Sequence, residues 1–116
     1  FISDNLEDDG CLIIEQGQKI ILILGCTHSG LINNLDLVSR KWGKDHFALI
    51  IGGLHLTDKD SSYVTRVLER ANRFKIDKLI PLHCSGLNHQ ALFEHYLGHR
   101  VEYGGAGKVI NCGEEC

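Results

Sequence analysis

The chain has 116 residues, 43% of them hydrophobic and 23% charged, with a formal net charge of −3. That length suits one domain, and the balance is that of a soluble globular protein. It excludes a nucleic-acid surface built on bulk positive charge, and no apolar run approaches the ~18 residues a membrane span requires.

In chain order, residues 1–10 are acidic (Asp4, Glu7, Asp8, Asp9) and read as a solvated loop or linker. The sequence holds no methionine and opens on Phe1-Ile2-Ser3-Asp4, so its N-terminus is expected to be a cut through a longer or processed product. Residues 11–15 (CLIIE), the turn signal Gln16-Gly17-Gln18 and residues 19–24 (KIILIL) predict a β-hairpin. Its second strand is a continuous apolar run, as expected of a strand covered on both faces.

The period then changes. Leu31, Leu35, Val38 and Trp42 lie on one helical face, with Ser29 as the expected cap and Gly43 as the stop. Residues 47–51 (FALII) predict a strand. Val64, Val67, Leu68, Ala71 and Phe74 form a second helical stripe capped by Asp60 or Ser61. Residues 78–82 (KLIPL) predict a short strand, with Pro81 pointing to a strand end or an edge position. Leu92, Phe93, Tyr96 and Leu97 predict a third helix, and the Gly-rich tail ends in a short strand at 108–110. The whole reads as an α/β fold, a β-hairpin followed by β-α-β-α-β-α. Alternating strands and helices imply a parallel sheet with right-handed crossovers, whose ligands bind at the carboxyl ends of the strands.

Those carboxyl ends carry the chemistry. The strands run into Gly25-Cys26-Thr27-His28-Ser29-Gly30, Gly52-Gly53-Leu54-His55-Leu56 and His83-Cys84-Ser85-Gly86. His28, His55 and His83 recur at spacings of 27 and 28 residues, so each β-α unit delivers one His to the same edge. Imidazole is the commonest metal ligand, and a catalytic zinc-type site takes about three protein ligands with a position left open. Backbone N–H groups of the helices after Gly30 and Gly86 are placed to hold a phosphate or carboxylate. His46, His89, His95 and His99 read as surface or structural residues, and Asp58, Asp60 and Asp77 as caps and turns. The five cysteines, Cys11, Cys26, Cys84, Cys112 and Cys116, form no C-x-x-C pair. Reduced thiols in a cytoplasmic protein are therefore expected.

The strings LILGCTHSGLINNL, IIGGLHL and PLHCSG resemble the "GCSHAG-I-N", "IGGFHL" and "HCTG" motifs of metallo-β-lactamase-fold proteins. The branch is the one labelled 7,8-dihydropterin-6-methyl-4-(β-D-ribofuranosyl)-aminobenzene-5′-phosphate synthase-like. The three matches occur in the family's order and span 22–86. The resemblance implies an αββα sandwich of which this chain is the C-terminal half, since the first-half metal motif H-x-H-x-D-H is absent from the sequence. It implies one or two metal ions, zinc first, with manganese or iron as alternatives. It assigns His83 as a metal ligand and leaves Cys26 and His28 as alternative ligands. His55 is a further ligand or a general acid. In the full site it implies metal-bound hydroxide attacking a small-molecule ester or phosphoester, a hydrolase or transferase reaction.

The expected partners are the substrate and either the missing N-terminal half or a second copy of the chain, with neither nucleic acid nor membrane. The sheet and helix faces that meet the missing half are expected to be apolar and exposed. The alternative is a non-catalytic remnant, or a partner subunit of a split protein. A nucleotide-binding α/β domain would want G-x-G-x-x-G after the first parallel strand, which residues 25–30 do not supply.

Overall fold

The computed structural model describes residues 2–3, 10–25, 27, 30–82 and 87–103. Expectations that fall on 4–9, 26, 28–29, 83–86 and 104–116, including the strand at 108–110, lie outside the described residues. The elements in chain order are β1 (Ile2–Ser3), β2 (Gly10–Gln16), β3 (Lys19–Leu24), α1 (Leu31–Trp42), β4 (His46–Gly53), α2 (Ser61–Ala71), β5 (Lys75–Ile76), β6 (Leu79–Leu82) and α3 (Gln90–Leu97).

β2 and β3 form the predicted antiparallel hairpin, from Gln16↔Lys19 to Cys11↔Leu24. Gly17 supplies the left-handed turn residue at φ 62°. β4 lies parallel to β3, and both β5 and β6 lie parallel to β4. β1 pairs with the start of β2, so Ile2–Ser3 is a strand and not part of a solvated linker.

Between the pairs Ile20↔Phe47 and Ile21↔Leu49 the register shifts by one residue, leaving Ala48 as a bulge on β4. The alternation therefore slips, and Ala48 and Leu49 both pack on the sheet face opposite Phe47 and Ile50.

One face of the sheet carries the main core. Ile20, Leu22, Phe47 and Ile50 pack there with Leu35, Val38, Val64, Leu68 and Phe93 of the three helices. The other face carries a smaller cluster of Ile21, Ala48, Leu49 and Ile80, flanked by Ile51 and Leu82.

Two details of the helices differ from expectation. α1 is capped by Gly30 and not by Ser29: Gly30 sits at φ 95°, where an L side chain is strained, and its carbonyl accepts from Asn34 Nδ2 at 2.8 Å. α2 begins as expected with Asp60, whose carboxylate accepts from Tyr63 N–H at 2.8 Å, but it ends at Ala71. Phe74, assigned by its spacing to the helical stripe, lies beyond that end and packs edge-on against Phe47, centroids 5.9 Å apart.

Candidate active-site edge

The parallel arrangement brings the carboxyl ends of β3, β4 and β6 side by side. Ile23 pairs with Ile51, and Gly53 pairs with Leu82, the residue immediately before His83. Contact between the first two strands continues past the regular ladder through Gly53 N–H donating to Gly25 O at 2.9 Å. The approach is close enough that a Cβ on Gly52 (φ 144°) would stand 2.2 Å from the Leu24 carbonyl oxygen. This is why the β4 end needs a glycine there.

Two non-glycine residues among those described have positive φ: Thr27 at 60° and His55 at 55°. They stand on the loops after β3 and β4, on the same edge. Thr27 is buried, and its Oγ1 donates to Gly53 O at 2.5 Å. A β-branched residue in this conformation costs energy that the surroundings must supply. Here the buried cross-loop hydrogen bond does so.

His55 stands between Leu54 and Leu56, which are buried in the main core. Those two leucines pin the loop, and the half-buried imidazole lines a small cleft of about 60 Å³ with Thr27, Gly30, Lys59 and Tyr63. The far end of the loop is tied down as well. Buried His89 donates from Nε2 to Lys59 O at 2.9 Å, joining the start of α3 to the His55 loop. Thr27 is the site-edge residue that sequence reasoning missed, while His89, read as surface or structural, is structural here. Neither falls on a period or a ligand spacing, and their role depends on contacts 26 and 30 residues away.

Of the four residues expected to act, His55 is on this edge. Cys26, His28 and His83 lie outside the described residues, although their described neighbours Gly25, Thr27 and Leu82 are all at the edge. Among the described residues no three His, Cys, Asp or Glu side chains gather to hold a metal. The described side chains alone therefore do not make a metal centre. The remaining histidines behave as expected of structural or surface groups: His95 and His99 are exposed, and His46 is bonded to Asp77 at the opposite end of the strands.

The chain carries part of the metallo-β-lactamase fold. It superimposes with a TM-score of 0.82 on a metal-dependent hydrolase of the beta-lactamase superfamily, at 21% identity, covering 92% of this chain and 41% of that one. By sequence it is similar to the 7,8-dihydropterin-6-methyl-4-(beta-D-ribofuranosyl)-aminobenzene-5′-phosphate synthase of Methanocaldococcus jannaschii, 27% identical over 109 residues. It is also 33% identical over 113 residues to an uncharacterized protein of that organism. Each match covers 94% of this chain, which spans 37% and 39% of those two proteins. No protein-family model matches the chain. No helix among the described residues is long and apolar enough to cross a membrane.

Proposed function

We propose that this chain supplies one edge of a metal-dependent active site in a hydrolase or transferase acting on an ester or phosphoester. The observation that carries the reading is the convergence of three parallel strand ends, each followed by a His-bearing motif, with His55 held in a strained backbone conformation at that edge. Strain of this kind concentrates at functional sites.

In this reading His83 is a ligand, His28 or Cys26 a second, and His55 a ligand or the acid that protonates the leaving oxygen. The group they would hold is zinc, with manganese or iron as alternatives suited to His and Cys or carboxylate donors. When bound, such an ion supplies Lewis-acid chemistry toward an ester or phosphoryl oxygen. The chain's own part is to fix the loops after β3 and β4, through Thr27 and His89, and to exclude water from the leucine-lined base of the cleft. The remaining donors come from a second body, the N-terminal half of the domain, seated on the helix-free face of the sheet. A cytoplasmic location with reduced thiols belongs to the same reading.

The test is zinc and manganese titration of the protein together with that half. Tight binding that His83→Ala weakens about tenfold or more is expected. No binding, or binding indifferent to His83→Ala, would overturn the metal role. The non-catalytic reading makes the chain a remnant or a partner subunit of a split protein. It predicts that adding the N-terminal half restores folding partners but no metal binding.

A further inference from the structure

We propose that the groove beside His55 binds the phosphate of a phosphomonoester on Arg66 and Arg70. Its meaning as a substrate subsite rests on the reading of His55 given above; the binding of the anion does not.

The small cleft at His55 opens into a larger one of about 180 Å³, and the two share Gly30, Leu31, Tyr63 and Val67. The larger cleft runs between the start of α1 and one side of α2. Arg66 and Arg70, four residues apart and so on one helical face, both line it. None of its lining residues is acidic. No carboxylate among the described residues forms an ion pair with either guanidinium.

A third cation joins them. Lys59 Nζ lies 5.4 Å and Arg66 Cζ 5.9 Å from the centroid of the Tyr63 ring, so the ring gathers both charges at the junction of the two clefts. Lys59 thus lines the His55 cleft while Arg66 and Arg70 line the adjoining one, in a chain whose net charge is −3. Beyond Arg70 the groove becomes mixed in charge, with Asp36 and Asp45 beside Arg70 and Arg73. The stretch that carries cations and no carboxylate is therefore short and lies on the His55 side. That suits one anionic group and disfavours a polyanion running along the helix.

The chemistry favours phosphate. Two guanidinium forks offer paired N–H donors that match phosphoryl oxygens, and with the ammonium they balance a dianion better than a carboxylate. A substrate so held reaches past Tyr63 with its reacting bond toward His55.

The experiment is an NMR titration of the intact protein, without added metal, with phenyl phosphate, benzoate and phenol. Phenyl phosphate is expected to shift the amides of residues 30–33 and 59–70, and Arg66→Ala/Arg70→Ala to weaken it by about tenfold or more. Arg66→Lys/Arg70→Lys keeps the charge and loses less. Both arginines are exposed, so the variants keep the fold, which their own spectra verify. Because the titration is run without metal, its outcome separates failure of the anion site from failure of the metal reading. Equal affinity in the double Ala variant, or benzoate binding as tightly as phenyl phosphate, overturns the proposal.

Discussion

Thr27 shows how one side chain holds two loops. Its backbone is strained at φ 60° while its hydroxyl makes a buried hydrogen bond to Gly53 O. Thr27→Val keeps the shape and the strain but removes the donor, and is expected to lower stability by about 1–2 kcal/mol. Thr27→Ser keeps the donor and sheds the β-branch, so it is expected to be at least as stable as the parent. Urea unfolding of the two variants checks the order; equal loss in both would mean that the hydroxyl does not tie the loops.

At the other end of the strands Asp77 makes a comparable tie. It accepts from His46 Nε2 at 2.9 Å and from Lys19 Nζ at 3.2 Å, linking the starts of β3 and β4 to the β5–β6 connection. Desolvation pushes its carboxyl upward, but the hydrogen bonds and charges of His46 and Lys19 outweigh it and hold the group below the ordinary value of 3.8. A depressed folded-state value contributes stability that is full above the unfolded value and is lost as pH falls through the folded one. Asp77→Asn is therefore expected to cost about 1 kcal/mol at neutral pH, a figure held low by partial exposure. The difference from the parent is expected to shrink as pH falls below 3.8 and through the depressed folded-state value. Unfolding curves at several pH values check this, and a difference independent of pH would remove the ionic tie.

At the scale of elements, the meeting of β3 and β4 depends on Gly52. Its φ of 144° strains any L residue, and a Cβ there would stand 2.2 Å from the Leu24 carbonyl. Backbone on both sides leaves little to yield. Gly52→Ala is expected to cost more than about 3 kcal/mol, or to prevent folding, as read by circular dichroism and thermal melting. A variant that folds with normal stability would show that the strands separate easily at this edge.

The hairpin, three helices and two parallel strands were legible because each repeats a hydrophobic period over several residues. Residues 75–76 were not, because two residues directly after a helical stripe carry no period of their own. Ile2–Ser3 was hidden by the acidic residues after it. The Gly30 cap was missed because a serine next to it is the better cap by side chain, whereas the turn demands positive φ. The same division holds at the site. The spacing pointed to His55, which stands on the described edge, whereas the ties made by Thr27 and His89 cross loops that sequence order keeps apart.

At the scale of the whole molecule, the two faces of the sheet differ. Helices cover one. On the other, Leu12, Ile14 and Ile23 are 46%, 43% and 37% exposed, beside the Ile21, Ala48, Leu49 and Ile80 cluster. Leu12 pairs with Ile23 and Ile14 with Ile21, so these residues form one continuous apolar surface. A surface of that kind on a sheet needs a cover. The relatives extend well beyond the part this chain matches, since it spans 37%, 39% and 41% of them. A second sheet from that remaining length is the cover we propose. Without it, the chain is expected to self-associate as its concentration rises. Replacing Leu12, Ile14 and Ile23 with Gln removes apolar area from exposed positions without emptying the core, so it should reduce association and leave the fold intact. Sedimentation velocity on the chain and the triple variant over a concentration series checks both parts. Adding the remaining half should abolish self-association of the parent and bind the triple variant more weakly. A parent chain that stays monomeric at high concentration would mean that this face needs no cover, and the half-domain reading would fall with it.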